Sequence, residues 1–233
     1  MVVFIPRHLR VWLVKRFFGI ILIGGVFLTL CGLSAWQLQR REWKSQLLET
    51  LAANGIKPPL PLADVLPLPD DQQWYRPVTL EGTLLWDKSL RVGLRQQNGQ
   101  AGYWIVTPMQ LDEGHAFVVT GFVTLSESAS WVSPTPSFLR LTARPLPNTA
   151  RTWFTPENQP DKGIWYTLYV AEMASFLGLK PFLPMAFVTD GVPGLTTAAA
   201  TPTLRNDHLQ YAITWALLAI ALVIFTIFYS RRS

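Results

Sequence analysis

The sequence predicts a membrane protein in which two transmembrane helices flank an α+β, mainly antiparallel and barrel-like β domain on the extracytoplasmic side. Two uncharged apolar stretches, residues 17–36 and 211–229, are each long enough to span a hydrocarbon core of about 30 Å as a helix. Between them, runs of β-branched and aromatic residues alternate with turn sequences, a pattern typical of short strands. The predicted segments are a basic lead (1–16), the first helix (17–36), a helical exit and Pro-rich connector (37–69), the β-rich domain (70–190), a linker (191–207), the second helix (208–229) and a tail (230–233).

The first apolar stretch is predicted to remain in the protein rather than to be cleaved as a signal peptide. Trp, Gln and Arg residues follow it, whereas a signal peptide has a shorter apolar core and a small-residue cleavage site. Gly25, Thr29 and Gly32 lie on one helix face, and small residues allow close helix packing, so we expect this face to meet the second helix. The helical pattern continues to residue 51, with Trp36 and Arg40 on one face either as membrane anchors or as a site for an anionic group.

Charge predicts the orientation and limits the partners. The net charge is +5, but the excess of Lys and Arg lies near the termini, and residues 45–205 hold more Asp and Glu than Lys and Arg. This distribution argues against a nucleic-acid-binding surface and fits contact with anionic lipid headgroups. Basic residues at both ends predict that both termini are cytoplasmic and the domain periplasmic, in a bacterial inner membrane or alternatively a mitochondrial inner membrane. The single cysteine, Cys31, excludes a disulfide and a cysteine-pair copper site within the chain.

The β domain is predicted from the spacing of its strands and turns. Asn98-Gly99 and Asp112-Glu113-Gly114 are hairpin signals. Gly82 and Gly102 are also expected at turns or bends. Residues 171–177 predict a short helix that ends at Gly178. The predicted strands are residues 76–85, 88–95, 103–111, 116–125, 137–143, 165–170 and 184–189.

The second helix carries a polar face at one end. His208, Tyr211, Ala212 and Trp215 are spaced i, i+3, i+4 and i+7, which places them on one side of the helix. A neutral imidazole can ligate haem iron, and the aromatic rings can pack on a flat macrocycle beside it. An interfacial aromatic belt of the kind common in membrane proteins explains the same residues without a cofactor.

No motif in the sequence indicates catalysis. The Gly-x-Ser-x-Gly, His-Glu-x-x-His and phosphate-loop patterns are absent. The domain's one histidine, His115, lies at a predicted turn beside two acidic residues, where a solvated side chain is expected. These observations favour a binding or assembly role.

Five sequence blocks resemble the surfeit locus protein one family of cytochrome oxidase assembly factors, over nearly the whole chain. The blocks are GLSAWQLQRREWK at 32–44, YRPVTLEG at 75–82, Arg95 with Gly99, Gly102, Tyr103 and 106–108, Phe154-x-Pro156-x-Asn158-x-Pro160 with Trp165 and Tyr166, and NDHLQYAITW at 206–215. The chain departs from the family pattern at Thr120-Gly121-Phe122, at Asp207 and near Tyr169.

The resemblance implies a non-catalytic assembly factor that holds or delivers haem a or a related haem to the haem-bearing catalytic subunit of a haem–copper oxidase. It makes His208 the expected ligand of the haem iron, flanked by Tyr211 and Trp215. Oxidase subunits, haem-synthesis membrane enzymes and membrane lipid are the expected partners. The predicted cofactor site also includes Trp36, Arg40 and Arg205. The two arginines are expected to face the haem propionates. A cofactor-free scaffold or accessory subunit that stabilises oxidase subunits during assembly is the alternative.

Overall fold

The computed structural model describes residues 7–128, 130–132, 134–135, 137–147, 152–198 and 206–231, with side chains from residue 17 onward. The described residues fall into two compact units. One unit, here called the helical unit, is formed by described residues within Met1–Leu48 and Leu204–Ser233. The other, here called the β unit, is formed by described residues within Glu49–Thr203.

Two long helices cover most of the helical unit. Helix α1 spans Arg7–Gly55 and α6 spans His208–Ser230, and both are long and apolar enough to cross a membrane. Helix α1 begins ten residues before the predicted start at residue 17 and continues through the predicted helical exit without interruption. The chain has no proline between Pro6 and Pro58, so nothing in this stretch removes a backbone donor from the helical ladder.

The β unit contains seven strands, four short helices and two 3₁₀ turns among its described residues. The strands are β1 (Leu60–Pro61), β2 (Val78–Leu84), β3 (Leu90–Gln97), β4 (Gln100–Leu111), β5 (Gly114–Thr124), β6 (Ser137–Leu146) and β7 (Phe182–Thr189). The helices are α2 (Leu62–Val65), α3 (Asp70–Gln73), α4 (Leu125–Ser128) and α5 (Val170–Leu177), and the 3₁₀ turns span Trp86–Lys88 and Pro160–Lys162.

The sheet closes on itself, which confirms the predicted barrel. Its strand order is β1-β2-β6-β7-β5-β4-β3, and β2 also pairs with β4. The closing pairs are Thr83 with Gln110 and Leu84 with Met109. Most pairs are antiparallel as predicted, whereas β5–β7 and β1–β2 are parallel. Strands β2, β6, β7, β5 and β4 therefore form the ring, and β1 and β3 lie outside it.

Strand β5 is buried on both faces, which places it at the centre of the unit. Ala116 and Val118 belong to one apolar cluster, and Phe117 and Val119 belong to the other. The continuous apolar sequence of β5 follows from this position, because a strand with one solvated face would alternate apolar and polar residues.

Residues 165–170 do not form the predicted strand. Trp165 makes only an isolated bridge to Val92, and α5 already begins at Val170. The backbone N–H groups of Tyr166 and Thr167 donate instead to the side-chain oxygen of Asn158. A side chain thus satisfies donors that a neighbouring strand would otherwise bind.

The Pro-rich connector also differs from the extended chain expected for it. It holds the two-residue strand β1, which pairs with β2 through Leu60 and Val78, and the single helical turn α2. Helix α2 follows Pro61 directly, and the fixed φ of proline is compatible with a helix start.

The predicted glycines occupy two kinds of position. Asn98 (φ 52°) and Gly99 (φ 79°) form the β3–β4 turn, as expected for a type I′ hairpin. Gly114 starts β5 at the next hairpin with φ 115°. Gly82 and Gly102 lie inside strands rather than at turns. At these strand positions a Cβ would collide with the carbonyl oxygens of Gln110 and Val123 respectively. At Gly82 the missing side chain allows β2 to approach β4 and close the barrel.

Candidate functional site in the helical unit

Helices α1 and α6 meet through small and polar side chains. The Ser34 hydroxyl donates to the carbonyl of Ala212 over 3.0 Å, and Ala212 is only 3% exposed. Further along α6, Ala219 is also buried. Small residues on α6 therefore bring the two backbones close together.

The glycine face predicted for this contact lies elsewhere on α1. A Cβ built at Gly25 or Gly32 would have no atom within 4 Å, and the Thr29 hydroxyl donates to the carbonyl of Gly25 in its own helix. Helix pairing was correctly expected, but the contacting face was not. Ala212 and Ala219 already supply the small side chains that close packing needs.

A polar network continues this contact to the start of α6. The Nδ1 atom of His208 lies 2.7 Å from Oε1 of Gln37, and His208 is half-buried. The side-chain amide of Asn206 donates to the Arg41 carbonyl over 3.4 Å and to the Ser45 hydroxyl over 3.3 Å. These bonds link the start of α6 and the residue two positions before it to the same side of α1.

The His208–Gln37 hydrogen bond orients the imidazole through its Nδ1 atom. A carboxamide oxygen only accepts, so Nδ1 must carry the proton that it donates. In the neutral ring, the Nε2 atom then keeps its lone pair and can act as an acceptor or as a metal ligand. Gln37 also restricts the rotation of the ring. An isolated histidine at a helix end would have no such restriction.

The other predicted site residues have different environments. Tyr211 is 56% exposed, whereas Trp215 is half-buried. Trp36 is 53% exposed, and the Arg40 guanidinium lies 4.3 Å from the centre of the Trp43 ring. Arg205 lies outside the described residues.

Sequence reasoning missed Gln37 as a site residue. The structure joins His208 to Gln37, and Arg40 stacks on Trp43 in its own helix. The available signal was an uncharged polar side chain directly after an apolar stretch, inside the block at residues 32–44. The pairing of that residue with His208 was not visible in the sequence.

The remaining motif residues lie in the β unit. His115 contacts the Pro181 carbonyl through Nδ1 at 3.1 Å. Thr120, in the departure from the family pattern, is buried, and its hydroxyl donates to the Ile105 carbonyl over 3.2 Å. Phe122 is 3% exposed. These side chains contribute to the packing of the barrel. Within the described residues, no three His, Cys, Asp or Glu side chains cluster as metal ligands.

Comparison with known proteins decides the family. Residues 25–220 match the sequence model of the SURF1 family. The chain belongs to this family. It is 32% identical over 219 residues to Surfeit locus protein 1 of Homo sapiens, an alignment that covers 80% of this chain and 69% of the human protein.

Two other SURF1 relatives extend the comparison. A SURF1-like protein of Drosophila melanogaster is 32% identical over 83% of this chain and 71% of its own length. A SURF1-like protein of Rickettsia conorii is 27% identical over 88% of both chains. The chain thus spans about two thirds of the human and fly proteins and most of the bacterial one.

SURF1 proteins are known as cytochrome oxidase assembly factors. Both Gln37 and His208 lie inside the matched residues 25–220. Arg95 and Asn158 of the β unit lie inside the same range. The SURF1 match therefore covers both units of the structure.

Proposed function

We propose that this SURF1 protein is a non-catalytic assembly factor for a haem–copper oxidase, and that it holds or delivers haem a or a related haem to the haem-bearing catalytic subunit. The hydrogen bond between His208 and Gln37 is the observation that carries the haem part of the proposal. In the neutral imidazole it leaves the Nε2 lone pair available, on a helix that is apolar enough to lie in the membrane.

The residues at this position fit a haem better than a bare metal ion. His208 would supply one nitrogen ligand, which suits haem iron because the macrocycle itself provides the other nitrogen ligands. Gln37 orients the ring, as hydrogen-bonded partners of ligating histidines commonly do. A bound haem would supply the iron to which Nε2 donates its lone pair.

The neighbouring side chains provide apolar and charged contacts for the same ligand. In the proposal, the exposed Tyr211 ring and Trp215 pack on the macrocycle, and Trp36 adds a third aromatic surface on α1. Arg40 and Arg205 bind the propionates, since guanidinium groups form bidentate hydrogen bonds with carboxylates. The bilayer would accommodate an apolar haem tail.

The proposed location follows from the charges of the chain. We place the protein in a bacterial inner membrane, with both termini cytoplasmic and the β unit periplasmic; a mitochondrial inner membrane is the alternative. The proposed partners are oxidase subunits, haem-synthesis membrane enzymes and lipid. A haem-synthesis enzyme would supply the ligand, and the catalytic subunit would receive it.

A cofactor-free scaffold is the second candidate, and one observation favours it. On the face of α1 that carries Gly25 and Gly32, a Cβ placed at either glycine would have no described atom within 4 Å. Small residues on a membrane helix allow another helix to approach closely. In this second candidate function the helical unit binds a helix of an oxidase subunit, and His208 has only a structural hydrogen bond.

Absorption spectroscopy of the purified protein distinguishes the two candidates. The full chain is produced in a host that makes haem a and is purified in detergent. We expect a Soret band that His208→Ala removes and His115→Ala keeps, with the β unit folded in both variants by circular dichroism. A wild-type protein without haem, or a His208→Ala protein with an unchanged band and normal oxidase assembly, would favour the scaffold.

A further inference from the structure

The β unit contains a half-buried arginine whose charge is not paired within the described structure. Arg95 lies in β3, opposite Gly102 of β4. Neither a hydrogen bond nor an ion pair joins its guanidinium to any described residue, and its Nε atom is buried without an acceptor. Burial lowers the pKa of Arg95, because the surrounding protein removes water from the charged group.

Two neighbours hold the Arg95 side chain in place. Its guanidinium carbon lies 4.6 Å from the centre of the Trp104 ring, a cation–π distance. A Cβ built at Gly93 would lie 3.1 Å from Arg95 Nε and 3.2 Å from the Tyr166 carbonyl oxygen. The missing side chain at Gly93 therefore leaves the space that Arg95 occupies beside Tyr166. The guanidinium is positioned on rigid elements before any anion binds.

An oriented, partly desolvated guanidinium is suited to a planar anion. A carboxylate matches its fork of N–H donors with two parallel hydrogen bonds, and such charge-assisted bonds are stronger where water is partly excluded. Leaving a buried donor without an acceptor costs free energy, so an arrangement of this kind is often kept for function rather than for stability. Tyr166, whose carbonyl borders the space at Gly93, is 41% exposed.

We propose that Arg95, held on the Trp104 ring, forms a carboxylate-binding site on the β unit. The carboxylate comes either from an Asp or Glu side chain of a polypeptide or from a free carboxylic acid with an apolar body. The site lies in the β unit, whereas His208 belongs to the helical unit. It gives the β unit a recognition role of its own.

Binding is tested by NMR on the full chain in detergent micelles with isotope-labelled arginine. The probe is 3-phenylpropionate, and the neutral 3-phenylpropionamide is its matched control. The Arg95 Nε–H signal is assigned by its loss in Arg95→Lys. We expect a saturable shift of this signal with the carboxylate. The amide should bind at least about tenfold more weakly, because hydrogen bonds to charged groups are stronger than those to neutral groups. Equal binding of the two probes, or an unmoved signal, overturns the proposal.

Two variants on the same strand separate a specific site from general charge attraction. Arg95→Gln should abolish carboxylate binding, whereas Arg91→Gln should keep it within about twofold, because Arg91 is exposed and exposed charges attract anions only weakly. An equal loss in both variants means that the strand merely attracts anions, and it overturns the proposal.

Stability measurements separate a binding role from a structural one. Arg95→Met keeps an unbranched stem against Trp104 and removes a charge that has no described partner. We expect the Tm of this variant to equal or exceed that of the wild type. A lowered Tm together with lost binding would assign Arg95 to the packing of the barrel instead, and would overturn the proposal.

Peptides identify the source of the carboxylate. A short peptide with blocked termini and one Glu between apolar residues is compared with its Gln counterpart and with 3-phenylpropionate. Tighter binding of the Glu peptide than of the free acid assigns a polypeptide partner, and weaker binding assigns a small carboxylic acid. If neither ligand binds above its neutral counterpart, the site does not exist.

Discussion

His208 and Gln37 are 171 positions apart in the sequence, yet their side chains share a hydrogen bond of 2.7 Å. The bond joins the first residue of α6 to α1 and assigns the imidazole proton to Nδ1. It orients the ring of a histidine at a helix end, and the first prediction depends on it.

Replacing Gln37 should weaken haem binding while His208 remains in place. Gln37→Leu removes the acceptor for the Nδ1 proton, so the ring loses its orientation. Losing such a partner typically weakens binding roughly 10–100-fold. Haem titration followed at the Soret band measures the change. Gln39→Leu, at an exposed position of the same helix, is the control and should bind as the wild type does; equal affinity in Gln37→Leu would contradict the positioning role.

A larger side chain at Ala212 should separate the two helices. Ala212 is buried where the Ser34 hydroxyl reaches its carbonyl, so Ala212→Leu inserts volume into a close contact. Gly25→Leu should leave the pair intact, because a Cβ there has no neighbour within 4 Å. Disulfide cross-linking between cysteines placed at positions 37 and 208, in a Cys31→Ser background, reports the pairing. Efficient cross-linking in Ala212→Leu but not in Gly25→Leu would mean that the glycine face makes the contact.

Removing the Asn158 side chain should destabilise the β unit. Its oxygen accepts from the backbone N–H groups of Tyr166 and Thr167, and its amide donates to the Glu172 carboxylate over 2.8 Å. Asn158→Ala leaves these groups without their partner, and we expect a loss of about 2–3 kcal/mol in the free energy of unfolding. Chemical denaturation of the detergent-solubilised chain measures it. The exposed neighbour Glu157→Ala should be nearly neutral; similar losses in both variants would refute the role of Asn158.

A methyl group at Gly82 should strain the closure of the barrel. Its carbon would collide with the Gln110 carbonyl, at the point where β2 pairs with β4. Overpacking of this kind costs about 1–3 kcal/mol. Gly55→Ala is the control, because its added carbon would lie 3.9 Å from the nearest atom. Thermal unfolding compares the two variants, and a Gly82→Ala protein as stable as the wild type would show that the strands can move apart without cost.

The orientation of the chain is tested with reporter fusions. Basic residues near both termini predict that the termini are cytoplasmic and that the β unit is periplasmic. A reporter that is active only in the periplasm should be active when it is fused at residue 130. A silent reporter there, with activity at either terminus, would reverse the assignment.

Much of the architecture was readable from residue patterns of short range. Apolar length predicted both long helices, and alternating runs with Asn98-Gly99 and Gly114 predicted the hairpins. These features succeed because helix periodicity and turn conformation depend on residues close together in the chain. The predicted strand at 165–170 failed because Asn158, outside that stretch, takes its backbone donors.

The sequence by itself determined two apolar helices, a closed and mainly antiparallel β unit, and a histidine at the start of the second helix. Only the tertiary structure decided that Gln37 is the partner of His208, that Ser34 and Ala212 rather than the glycines make the helix contact, and that Arg95 is half-buried on Trp104. The physical reason is the same in each case. Local patterns specify the elements, whereas the rotation of one helix against another and the meeting of distant side chains are set by packing over the whole unit.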